Sequence, residues 1–152
     1  MDVRATDTDD PAVLLERKWF GAINEWLERR PERLTELLRD AAGPIPDGAR
    51  AFLADLAAGK VSRGRGGRPP ERDGWVERSI LAEVFREWET AEGTPRPTRS
   101  EAPKDAAYRL VAKRRGITTE AVRGIIERLG KAGLTRDRWE SWGRPWSTTK
   151  PP

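Results

Sequence analysis

Apolar side chains recur along the chain at the spacing of one face of an α-helix, and the first 60 residues predict three short helices. Asp10 followed by Pro11 is a strong helix start, because it combines an N-cap acid with proline in the first turn. A second helix is expected to open at Pro31, and a third runs over about residues 47–58. The apolar positions of these three helices are Val13, Leu14, Phe20, Ile23, Leu27, Leu34, Leu37, Leu38, Phe52, Leu53 and Leu56.

The helical periodicity resumes after an interruption at residues 61–72, where three glycines, two prolines and four arginines predict a linker rather than a core element. A fourth helix is expected from about Asp73 until Gly93, and two more follow a proline-rich stretch at residues 94–103. No segment has the alternation of a strand, so the pattern predicts an all-α fold. The apolar stripe of the fourth helix comprises Val76, Ile80, Leu81, Val84, Phe85 and Trp88.

Composition removes most enzymatic chemistry. The chain contains no cysteine and no histidine, which excludes disulfides, thiolate nucleophiles, the common zinc sites and imidazole catalysis. Its carboxylates form no recognisable metal cluster, and the glycines of residues 64–67 lack the flanking strand and the Lys-Ser/Thr pair of a phosphate-binding loop. We therefore expect a protein that is not an enzyme, with no catalytic residue, no cofactor and no bound metal.

The apolar runs and the first residues of the sequence bear on where the protein is located in the cell. No apolar run approaches the roughly 20 residues that a membrane-spanning helix needs. Residues 1–9 are acidic and polar, resemble neither a secretory signal nor a transit peptide, and are expected to be disordered. The expectation is a cytoplasmic protein without a membrane partner.

Charge is distributed unevenly along the chain. Residues 1–60 carry a net −3 and residues 73–103 another −3, whereas residues 61–72 carry +3 and residues 104–152 carry +7. Positive charge therefore sits in one linker and one C-terminal segment. This asymmetry favours a polyanionic partner that meets both places.

Residues 104–131 have the features of two short helices joined by a tight turn. Small Ala112 permits close helix contact, and Gly116 stands where the turn needs a residue that tolerates positive φ. Ile117 follows it as an apolar plug, and Val122 and Ile125 begin the buried face of the next helix. In this pattern, residues 108–129 resemble the helix-turn-helix superfamily of bacterial and phage DNA-binding proteins.

That resemblance implies that the second helix enters the major groove of double-stranded DNA, and that the helix from Asp73 completes a three-helix core. Arg123 would read a base, whereas arginines at the end of the preceding helix would hold phosphates. Glu120 and Glu127 put negative charge on the same face, where a carboxylate can accept from a cytosine amino group. The base-reading residues are expected to be Thr119, Glu120, Arg123 and Glu127, beside exposed Gly124. The phosphate contacts are expected to be Lys113, Arg114, Arg115, Arg128 and Lys131.

The linker offers a second candidate contact. Its segment from Arg65 to Pro69 reads Arg-Gly-Gly-Arg-Pro, which resembles a minor-groove hook with the core Arg-Gly-Arg-Pro but has one glycine too many. Generic attraction to phosphates needs no exact spacing, so Arg63, Arg65 and Arg68 are possible DNA contacts. A solvated flexible tether is the alternative.

Six of the seven tryptophans fall into two groups. Trp19, Trp26 and Trp88 lie on or beside apolar helical stripes and are expected in the core. The rings of Trp139, Trp142 and Trp146 belong to a tail that packs back on the protein, docks on a partner or stacks on bases.

The predicted architecture is an N-terminal helical module and a C-terminal helix-turn-helix three-helix domain. Its divisions are residues 1–9, 10–60, 61–72, 73–135 and 136–152. The function expected is duplex DNA binding, as in a transcriptional regulator. A DNA packaging or replication accessory protein would use the same motif. The alternative from another class is a helical adaptor whose N-terminal helices or Trp-rich tail bind a protein partner or a second copy in a homodimer.

Overall fold

The computed structural model describes residues 10–40, 43–63, 74–95 and 101–146, and all regular secondary structure within these ranges is α-helical. The all-α prediction is confirmed for this part of the chain. The described helices are α1 Pro11–Leu27, α2 Glu32–Arg39, α3 Asp47–Ala57, α4 Gly74–Glu92, α5 Pro103–Arg115, α6 Thr119–Lys131 and α7 Arg136–Ser141. None of them combines the length and apolar character that crossing a bilayer would require.

Local sequence signals account for the helix ends in the first half. The Asp10 carboxylate accepts a hydrogen bond from the Ala12 N–H at 2.9 Å, which confirms the predicted N-cap of α1. Pro31 precedes α2 directly, and α3 ends just before Gly59, whose φ of 74° stops the helix. The expected fourth helix is α4, which begins at Gly74.

One hydrophobic core runs through the described residues of both predicted modules. It includes Trp19 and Phe52 from the N-terminal helices, Phe85 from α4 and Val111 from α5. Helix α4 is central, since it contacts α1 as well as α5 and α6. Trp26 and Trp88 are half-buried and pack against the same core, as the sequence led us to expect.

The described residues of the Trp-rich tail, 136–146, pack back onto the protein. Trp142 is fully buried, lies 4.9 Å from the Phe52 ring between centroids, and donates its indole N–H to Asp55 at 2.7 Å. Trp139 donates its indole N–H to the Pro145 carbonyl at 2.8 Å and packs against Phe85. Of the three roles open from sequence, packing is the one these rings have in this structure, and they are not available for stacking on bases.

A buried cation joins α4 to α1. The Arg78 guanidinium, in a residue that is 5% exposed, donates to Asn24 Oδ1 at 2.7 Å and to Glu28 Oε1 at 3.1 Å. Burial lowers the pKa of Arg78, and the neighbouring Glu28 carboxylate opposes that effect. The contact fixes the C-terminal end of α1 against the first turns of α4.

Two apolar positions of the N-terminal helices remain at the surface. Leu14 is 50% exposed and Leu38 is 48% exposed. They lie in the first turn of α1 and the last turn of α2, whereas Phe20, Ile23 and Leu34 nearer the middle of the hairpin are buried. The apolar stripe therefore overstates the buried face at the helix ends.

Candidate nucleic-acid interface

A tight left-handed turn ends α5. Gly116 has φ 65° and ψ 31°, the left-handed conformation that glycine adopts without steric cost. The N–H of Ile117 reaches back to the Ala112 carbonyl at 3.1 Å and satisfies one of the helix's last acceptors. The expected glycine turn is present at this residue.

The next helix begins at once behind a side-chain cap. Thr118 has an extended backbone, and its Oγ1 accepts a hydrogen bond from the Ala121 N–H at 3.0 Å. Glu120 lies in the first turn of α6, where a negative charge is favoured by the exposed N–H groups. The chain thus passes from α5 to α6 through Gly116, Ile117 and Thr118.

Helices α4, α5 and α6 pack against one another around shared apolar residues. Val111 and Ala112 of α5 are buried together with Val122 and Ile125 of α6. Ile117 packs against this core from the turn. The buried side of α6 is therefore fixed, and its opposite side is presented to solvent.

That solvent side carries the residues expected to read bases. The Glu120 side chain is 79% exposed and forms an ion pair with Arg123 one turn later. Glu127 and Gly124 are also exposed, whereas Thr119 is half-buried. The four base-reading candidates belong to one helix, in which Glu120 and Glu127 are exposed and Thr119 and Arg123 are half-buried.

Tyr108 and Lys104 adjoin this face and were not singled out from sequence. The pKa of the Tyr108 phenol is raised, first by burial and then by the Glu127 carboxylate, while Arg123 opposes the effect. Lys104 Nζ lies 5.7 Å from the Tyr108 ring centre and 5.7 Å from that of Trp88. The four-residue spacing of Lys104 and Tyr108 on α5 is the sequence signal that indicates their proximity.

The expected phosphate contacts fall into two groups. Three arginines pair with carboxylates of α4, whereas Lys113 and Lys131 are exposed and have no ion pair within the described ranges. The arginine pairs are Arg114–Glu87 at 2.8 Å, Arg115–Glu83 at 3.0 Å and a two-fold hydrogen-bonded Arg128–Glu77 pair. These arginines hold α5 and α6 to α4, and the carboxylates beside them offset part of their attraction for an external anion.

Among the linker arginines, the described residues include Arg63, which follows Ser62, whose N–H donates to the Ala132 carbonyl at the C-terminal end of α6 at 2.8 Å. The Arg63 guanidinium stacks over the Trp26 ring at 4.6 Å, on α1. Arg65 and Arg68 fall outside the described residues. Their predicted contact with DNA therefore stays a prediction from sequence.

Replacing Gly116 with valine is expected to destabilise the fold by about 1–3 kcal/mol, because a β-branched residue is strained at this positive φ. No atom beyond the two neighbouring residues lies within 4 Å of the position of a Cβ, so crowding at that atom does not add to the strain. Gly116→Asn is the matched control, since asparagine tolerates the left-handed region. Urea denaturation measures both. Equal midpoints for the valine and asparagine variants would contradict the assignment of strain to this turn.

The described residues contain no group of three or more acidic side chains placed to hold a metal ion. Comparison with protein-family models, with curated proteins and with solved structures finds no match to the chain. Its function must therefore be argued from the geometry of its own residues.

Proposed function

We propose that this protein binds duplex DNA by placing α6 in the major groove, in the role of a transcriptional regulator. The observation that carries the proposal is the unit formed by α5, the turn at Gly116 and the capped helix α6. A rigid three-helix support holds one face of α6 in the core and leaves polar residues on the other. An α-helix presented in this way fits the width of the major groove.

Phosphate contacts in this proposal belong first to Lys113 and Lys131, because both are exposed and without an ion pair in the described part of the chain. The guanidinium groups of Arg114 and Arg128 remain about half exposed beside their carboxylate partners. They can share a phosphate only while also holding α4. DNA affinity should accordingly be modest and should depend on few phosphates.

Affinity for a mixed-sequence duplex is expected to fall with salt at a log–log slope of about −2, because each phosphate neutralised contributes about −0.9. Participation by the three paired arginines would steepen that slope. Fluorescence anisotropy at several salt concentrations measures it. The double variant Lys113→Ala/Lys131→Ala should lose most of the salt dependence, whereas Lys18→Ala, an exposed lysine on α1, should not. Absence of binding to any duplex at low salt would reject the proposal.

A second candidate function is a helical adaptor that binds protein. Two observations favour it: the arginine charges of α5 and α6 are partly neutralised by α4, and Leu14 and Leu38 are exposed. A gel-shift titration separates the two classes, because an adaptor would leave duplex DNA unshifted at low salt. Packaging and replication accessory proteins share duplex binding with a regulator, and their cellular context distinguishes them.

A further inference from the structure

The outermost ridge of α6 has an unusual composition for a helix that faces a polyanion. Glu120, Gly124, Glu127 and Lys131 follow one another at four-, three- and four-residue steps, which places them in one stripe of the helix. Arg123 flanks the stripe and donates to the Glu120 carboxylate. The two carboxylates on this ridge repel acceptors and anions, and so they restrict the surfaces that α6 can approach.

Gly124 lies in the middle of this ridge, and no contact or backbone conformation within the described structure requires a glycine there. Nothing lies within 4 Å of the position that a Cβ would take, and its backbone is not among those with positive φ. A glycine inside a helix costs about 0.5–1 kcal/mol relative to alanine. A surface that approaches the helix backbone closely at this point explains why the site is bare.

The chemistry of the carboxylates selects the base that such a surface can present. An ionised carboxylate only accepts hydrogen bonds, and in the major groove only the amino groups of cytosine and adenine donate. In an A·T pair the adenine amino group lies between two acceptors, its own N7 and thymine O4, which repel a carboxylate from both sides. In a C·G pair the cytosine amino group has guanine O6 on one side only. Cytosine is therefore the better partner for Glu120 and for Glu127.

We propose, on the basis of the DNA-binding function above, that α6 selects duplexes with two cytosines about three base-pair steps apart, read by Glu120 and Glu127. Seven residues of α-helix span about 10.5 Å, which matches three steps of about 3.4 Å along the groove. Arg123 lies between them and reads a guanine, because its bond to Glu120 orients the guanidinium and leaves other N–H groups free. Gly124 allows the helix to sit close to the base edges.

The same carboxylates lower affinity for all other sequences. Without an amino group opposite, the Glu127 carboxylate is desolvated against acceptors and approaches phosphates of like charge, which is unfavourable. Glu120 keeps its ion pair with Arg123, so its penalty is smaller. Removing a carboxylate should thus weaken discrimination and strengthen non-specific binding. Loss of an attractive contact alone would weaken specific binding without strengthening the non-specific mode.

The test is a binding selection from randomised duplexes with the full chain. Wild type should enrich two cytosines three steps apart, each by roughly 5- to 150-fold over other bases. Glu127→Ala should lose one of these preferences and bind mixed-sequence duplex more tightly than wild type. Glu127→Gln should shift that position towards adenine, whose amino group and N7 a glutamine amide matches. Glu36→Ala, an exposed carboxylate on α2, is the control and should change neither readout.

Gly124→Ala tests the close approach with the fold intact. The substitution should stabilise α6 and yet weaken binding to the selected duplex by about ten-fold or more, which separates a DNA role from a structural one. Unchanged affinity for that duplex would overturn the close approach. Duplex binding without cytosine enrichment would overturn the selectivity while leaving the proposed function in place, and absence of duplex binding would overturn both.

Discussion

Changing Gly48 to alanine should destabilise the protein by about 3–5 kcal/mol, the cost of removing a large aromatic side chain from a core. A Cβ at this position would lie 2.0 Å from the carbonyl oxygen of Trp142, so the tail backbone must move away from α3. Trp142 is fully buried, and its displacement would uncover Phe52 and break the hydrogen bond to Asp55. Chemical denaturation followed by tryptophan fluorescence measures the loss.

A matched control and a double variant make the cause specific. Gly124→Ala is the same change at a helical site with free space around it, and it should raise stability rather than lower it. Trp142→Ala should cost about as much as Gly48→Ala, and combining them should cost little more than either alone, because both remove one contact. Additive losses in the double variant would show that Gly48 acts through something other than the tail.

Arg78→Ala is expected to be the second large loss, about 2–5 kcal/mol, because it truncates a long side chain in a residue that is 5% exposed. Glu28 keeps its ion pair with Arg30 at 2.7 Å, so little of the loss comes from an unpaired carboxylate. The Asn24 side chain would also lose its donor in a buried environment. Arg78→Met keeps much of the side-chain volume and should still be destabilising, which separates the polar contact from packing. Thermal unfolding of the two variants measures both contributions.

Arg109→Ala provides the comparison for this prediction. Arg109 also pairs with a carboxylate, Glu101, at 2.6 Å, but it does so at the surface, where water and salt screen the interaction. No measurable change in unfolding midpoint is expected for that variant. If Arg78→Ala also left the unfolding midpoint unchanged, the connection between α1 and α4 would not depend on the buried cation.

Local signals of the sequence predicted the helices and the turn well. The Asp10 cap, the Gly116 turn and the Thr118 cap each involve residues within a few positions of one another. They can therefore be predicted from the sequence without a tertiary structure. The six-residue helix α7 was not predicted, because it is too short for its periodicity to register. Its position depends on Trp139, whose partner Phe85 is far away in sequence.

The ion pairs of the arginines could not be predicted from local sequence either, because their partners are also far away in sequence. Arg114 and Arg115 were expected to face phosphates because they end the helix before the turn, where the resemblance places the DNA backbone, and Arg128 was expected to join them. Their carboxylate partners lie on α4, between 27 and 51 residues away. Only the packing of α5 and α6 against α4 shows which of these cations have a carboxylate beside them.

The contacts of Arg63 and Gly74 with α1 and its C-cap determine how the length of the chain between these two residues affects folding. Arg63 stacks on Trp26, and a methyl group on Gly74 would lie 3.1 Å from Glu28 Oε1, so the chain leaves and re-enters the described fold at one end of α1. Closing a loop between two such points costs little extra when the loop is longer, about 0.6 kcal/mol for each doubling of length. A change in the length of the chain between Arg63 and Gly74 should therefore alter the free energy of folding little, provided that both ends keep these contacts.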